Sequence, residues 1–180
     1  MLGTQQMLLH KIGEVKENPV GLDRMHAKQM SDALNVALGS VYTLYHQLKK
    51  HHWVVEGPSF RDLHVLLDEF AARQLKIADE VAERITVLGA YPISSPRKQQ
   101  EMCVFSPEEE GVLDLRTMLT NDMRAYQQII ARFRDLIQLA AQAGDFTTET
   151  MLKHQLQTME FDVHHLEHLL GEDTLTTRTH

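Results

Sequence analysis

Residues 51–89 read HHWVVEGPSFRDLHVLLDEFAARQLKIADEVAERITVLG, and this stretch decides the fold. Gly57-Pro58 ends any helix running into it. Ser59 opens a new helix, with Asp62 three residues on in an approximate capping box. Leu63, Leu67, Phe70, Ile77, Val81, Ile85 and Leu88 then mark one apolar helix face, and Gly89 is a natural stop.

Upstream, Met30, Leu34, Ala37, Val41, Leu44 and Leu48 follow steps of three and four. They predict a first amphipathic helix from the N-cap Asp23 to about His52. Downstream, residues 90–112 hold three prolines, one of them in a Ser-Ser-Pro cluster, a long connection with room for a short helix near Arg97 to Met102. A third long helix is expected from about Leu113 to Ala143 and a fourth from Phe146 to Leu170, ended by Gly144 and Gly171. No segment reads as a strand. Four long helices with one long crossover between the second and third give an all-α, ferritin-like four-helix bundle over residues 23–171. Residues 1–22 lack periodicity and read as a flexible N-terminal arm; residues 172–180 form a short C-terminal tail.

At 180 residues, with 43% hydrophobic and 24% charged, the chain suits one globular domain. A lone cysteine, Cys103, cannot form an intramolecular disulfide, and no signal peptide or membrane span is evident. A cytoplasmic protein without membrane contact is expected. The net charge of −7 suits solubility or cation attraction and argues against a surface built for nucleic acid.

The second helix carries a second face. His64 and Asp68 stand four residues apart, as do Asp79 and Glu83, and all four fall within roughly a 100° arc away from the apolar stripe. From Asp68 to Asp79 is about 16 Å along the axis, whereas bonds to hard cations span only about 2.0–2.6 Å. One subunit therefore cannot bring both pairs to one metal. An antiparallel copy of the helix, related by a two-fold axis near Arg73-Gln74, would join His64 and Asp68 of one chain to Asp79 and Glu83 of the other, twice. His52 would approach from the end of the first helix. Imidazole with carboxylate suits iron, and zinc as a substitute. On spacing alone, a metal site and a solvated helix face both remain open.

The run HHWxVxGPSFRDLHxLLDEF followed by DEVAERIxxLG resembles the Dps mini-ferritins, the DNA-binding proteins from starved cells. The detailed likeness covers about residues 40–90, and the helix layout extends it over most of the chain. The resemblance implies metal ligands and catalytic residues at His52, His64, Asp68, Asp79 and Glu83, in a mono- or di-iron site between subunits. It further implies ferroxidase activity, Fe(II) oxidation preferably with hydrogen peroxide, and ferric mineral stored in a hollow homo-dodecamer built from two-fold dimers. Protection against oxidative damage would follow. Trp53 is either an electron sink beside the site or a packing aromatic. Where many relatives read His-Trp-Asn, this chain has Val54. DNA-binding relatives use basic tails; here Lys11 and Lys16 are balanced by Glu14 and Glu17, and Arg178 faces Glu172 and Asp173. DNA binding is expected to be weak or absent. The alternative reading is a nucleoid-binding structural protein. An intra-bundle di-iron enzyme would need Glu-x-x-His, which the sequence lacks.

Four weaker signals remain. His164, His165 and His168 could be a metal cluster or a solvated helix end. Asp145 and Glu149 could line an iron-entry pore or favour a helix dipole. Lys49 lies one turn before His52, facing the site or solvent. Cys103 has no assignable base.

Overall fold

The computed structural model describes residues 8–171; the first seven residues of the arm and the expected tail, 172–180, lie outside the described residues. Among them are five helices and no strand: α1 (Arg24–Val54), α2 (Phe60–Val87), α3 (Pro96–Glu101), α4 (Leu115–Gln142) and α5 (Phe146–Leu170). The long four form the bundle, α1 packing on α2 and α4, and α5 on α4 and α2. No helix is long and apolar enough to cross a membrane among the described residues.

Helix starts follow side-chain chemistry. Asp23 accepts from the amides of Met25 and His26, Asp114 from Thr117, and Asp145 from Thr148. The capping box expected at Ser59 does not form: its side chain makes no capping hydrogen bond. Its backbone has already turned to ψ 14°, outside the usual extended N-cap conformation.

The apolar stripes of α1 and α2 are buried as expected. In α4 and α5 the buried line runs one residue away from part of the apolar pattern. Gln155 and Asp162 are buried, while their neighbours Leu156 and Val163 are only half-buried. Asp122 likewise takes the interior position beside Met123. The bundle therefore encloses a line of hydrogen-bonded polar groups. Gln74 donates to the Tyr126 hydroxyl at 3.2 Å, Tyr126 donates to Asp162 at 2.8 Å, and Arg73 donates to Asp162 at 2.8 Å.

The crossover is fastened to α1. Asn35 accepts from the Ile93 amide at 2.8 Å and donates to the Tyr91 carbonyl at 3.2 Å. α3 lies so close to α1 that a Cβ at Gly39 would sit 2.6 Å from the Gln99 carbonyl oxygen. The part of the arm described is docked as well: the Lys16 amide donates to the Gly89 carbonyl at 2.9 Å, Val15 is buried, and His10 stacks on Tyr91.

Candidate metal centre

His51 and His52, adjacent in sequence, point about 100° apart on α1. His51 continues the Leu44-Leu48 stripe into the core, and His52 faces outward toward α2. Five residues separate α1 from α2, so the end of α1 lies beside the first turns of α2.

There the two helices clasp each other through histidines. His52 Nδ1 bonds the His64 carbonyl at 2.7 Å, and His64 Nδ1 bonds the His52 carbonyl at 2.8 Å. The His52 carbonyl belongs to the last turn of α1, where helix carbonyls lack intrahelical partners. Carbonyls only accept, so each Nδ1 must be the protonated nitrogen. A neutral ring then keeps its lone pair on Nε2, the form in which imidazole binds a metal. The rings stack with centroids 3.8 Å apart. Asp68 follows one turn after His64, its carboxylate 2.5 Å from Lys49 Nζ. The bond from Lys49, together with its charge, holds the Asp68 carboxyl below the usual carboxylate range. Asp68 is exposed and ready as an ionised donor.

The structure thus brings His52, His64 and Asp68 together with Lys49, and leaves Asp79 and Glu83 elsewhere. Those two are exposed on the far half of α2, and neither side chain has a hydrogen-bond or ion-pair partner among the described residues. α2 is one uninterrupted helix between the pairs, so the separation of about 16 Å stands. Among the described residues no three His, Cys, Asp or Glu side chains of one chain converge on a metal position.

Several other sequence expectations are settled by geometry. Asp145 does not line a pore: it is 2% exposed, Arg84 Nη2 donates to it at 2.7 Å, and His26 Nε2 lies 3.2 Å away. Burial pushes its carboxyl up, but Thr148, His26 and Arg84 outweigh this and leave it low. Glu149 pairs with Lys153 at 2.5 Å. The histidines of α5 split: His164 and His168 pack edge to face at 4.4 Å, while His165 turns to Phe161 and Phe70. Burial raises the Cys103 thiol, which makes it a poor nucleophile.

The sequence reading missed His51. Its Nδ1 lies 2.8 Å from Asp122, and Nε2 bonds Glu108, which Lys50 and Asn121 also hold. Burial alone would lower the His51 pKa, but the two carboxylates reverse this and raise it. Both ring nitrogens are committed, so His51 offers a metal nothing. Its place on the Leu44-Leu48 stripe was the available signal.

Comparison with known proteins places the chain in a family. A family model described as a ferritin-like domain matches residues 31–176. A protein of Halobacterium salinarum named DNA protection during starvation protein is 46% identical over 178 residues, covering 98% of either chain. The crystal structure of an archaeal Dps homologue from the same organism superposes with a TM-score of 0.92 at 46% identity, covering 97% of either chain. The Dps protein of Vibrio cholerae O1, described as a member of a broad superfamily of ferritin-like diiron-carboxylate proteins, superposes with a TM-score of 0.82 at 25% identity. It covers 88% of this chain and 99% of its own. The chain belongs to the ferritin-like family and, within it, to the Dps-type mini-ferritins.

Proposed function

We propose that two copies of this chain pair their α2 helices antiparallel and build two equivalent ferroxidase sites. Each takes His52, His64 and Asp68 from one copy and Asp79 and Glu83 from the other. One observation carries this reading: the exposed arc of α2 is self-complementary about a single axis. His64 and Glu83 lie at equal distances on either side of the Arg73-Gln74 midpoint, and so do Asp68 and Asp79. The same axis sets Ala72 opposite Leu75 and Val65 opposite Ala82. All fall in the same arc, and Val65 and Leu75 are 50% and 44% exposed in the single chain. One two-fold operation joins donors to donors and apolar side chains to apolar side chains, as an isologous interface requires.

The substrates are Fe(II) and hydrogen peroxide, peroxide being the preferred oxidant. Each peroxide takes one electron from each of two ferrous ions and, with two protons, leaves as two waters. The histidines supply neutral nitrogen donors and the carboxylates supply charge that favours the ferric product. Twelve subunits in a hollow shell would store the ferric mineral, and removal of both reactants would limit hydroxyl-radical formation. Iron is the metal of this reading, as substrate at a mono- or di-iron site.

The shared site is tested by mixing. A His52→Ala/His64→Ala chain and an Asp79→Ala/Glu83→Ala chain are each expected to be inactive. Refolded together in equal amounts, half of the dimers are mixed and each has one intact site, so activity returns to roughly one quarter of wild type. No recovery would place the site within one subunit.

DNA binding is proposed to be weak, despite the name of the Halobacterium salinarum relative. The arm carries Lys11 and Lys16 against Glu14 and Glu17, too little charge for counterion release. In a gel shift at low salt the protein is expected to leave duplex DNA unretarded; tight binding would favour the nucleoid-structural reading.

A further inference from the structure

Among the described residues, Lys49 is the one cation in contact with the candidate site's donors. Its ammonium lies 2.5 Å from Asp68 Oδ1 and 6.0 Å from the centroid of the Trp53 ring. Lys49 and Trp53 are four residues apart, so α1 puts both on the face where His52 emerges. The Lys49 side chain is 21% exposed, while that of Asp68 remains 55% exposed.

We propose that Lys49 is a tethered counter-ion that a divalent metal must displace from Asp68, so that it sets the affinity of the site and couples occupancy to Trp53. This rests on the proposed function of Asp68 as a metal ligand. A carboxylate oxygen held at hydrogen-bond distance by an ammonium cannot use the same lone pair for a metal. A divalent ion at Asp68 would repel an ammonium left in place. Lys49 has four rotatable carbons and a second favourable position within reach, the face of the Trp53 ring. Binding therefore exchanges a Lys49–Asp68 pair for a metal–Asp68 bond and brings the cation closer to the ring. In the metal-free protein the same pair keeps an exposed carboxylate oriented and neutralised. Lys49 acts through Asp68 and is a positioning residue.

The experiment uses Zn(II), which has no redox chemistry, on the metal-free assembled protein. Affinity is read by calorimetry and the ring's surroundings by Trp53 fluorescence; Trp53 is the chain's single tryptophan. Lys49→Met removes the charge and keeps the packing length. It is expected to bind Zn(II) about tenfold more tightly, the scale of repulsion between a monocation and a dication a few ångströms apart in a high dielectric. The change in Trp53 emission on Zn(II) addition, expected in wild type, should shrink or vanish in Lys49→Met. Equal or weaker binding by Lys49→Met overturns the proposal, since a lysine that only orients Asp68 would weaken binding when lost. Asp68→Asn separates the two layers of the argument. If it lowers Zn(II) binding while Lys49→Met leaves it unchanged, Lys49 alone is misassigned. If Asp68→Asn leaves binding intact, the site itself is wrong.

Discussion

Replacing Asp79 and Glu83 together by alanine is expected to slow peroxide-driven Fe(II) oxidation by at least about 100-fold without loosening the subunit. The rate estimate follows from metal sites in general, where loss of a group merely supporting a ligand costs roughly 10–100-fold. Removing two proposed ligands should reach the top of that range or pass it. The stability estimate follows from the surroundings. Both side chains are exposed and make no hydrogen bond or ion pair among the described residues. Exposed substitutions of this kind usually change stability by less than about 0.5 kcal/mol, and alanine is a better helix former than either acid. The His52–His64 clasp, on the other half of the helix, should be untouched. Circular dichroism and urea melts should match wild type, while stopped-flow absorbance of the ferric product drops to the rate in free solution. Equal rates in variant and wild type would sink the proposed site.

The helices were legible because the apolar periodicity of α1 and α2 is unbroken and Gly57-Pro58 and Gly89 punctuate it sharply. The donor residues were legible from spacing and from resemblance to the Dps proteins. What the periodicity could not show was the polar interior. Asp122, Gln155 and Asp162 occupy core positions, yet each has an apolar neighbour one residue away that draws a hydrophobic reading toward itself. Only partners distant in sequence make those positions tolerable, as Tyr126 and Arg73 do for Asp162. The reciprocal Nδ1 bonds of His52 and His64 were equally hidden, since they depend on how the α1–α2 turn returns the chain. The ion pairing of Asp145, whose place at the start of α5 was one of its two readings, was hidden for the same reason. An acid at a helix start looks like a dipole or pore residue until Arg84 and His26 close over it.

That closure leads to the second large effect: Asp145→Ala should lower the free energy of unfolding by about 4 kcal/mol. Asp145 caps α5 and receives the Arg84 guanidinium at 2.7 Å, and both side chains are more than nine-tenths buried. Losing the cap alone costs on the order of 1 kcal/mol. Leaving a buried arginine without its carboxylate costs about 3–5 kcal/mol, because the charge keeps its desolvation penalty and loses its compensation. Arg84 Nε still donates to the Thr148 hydroxyl at 2.7 Å, but a neutral oxygen does not replace the carboxylate, and among the described residues no second anion pairs with Arg84. Asp145→Asn should cost less, since an amide oxygen can still cap the helix. Adding Arg84→Met to Asp145→Ala should recover part of the loss, the two changes together costing less than their sum. Urea unfolding at fixed protein concentration measures all three. Additive losses would mean that the pair is not coupled, and that α5 is held to α2 by its apolar contacts alone.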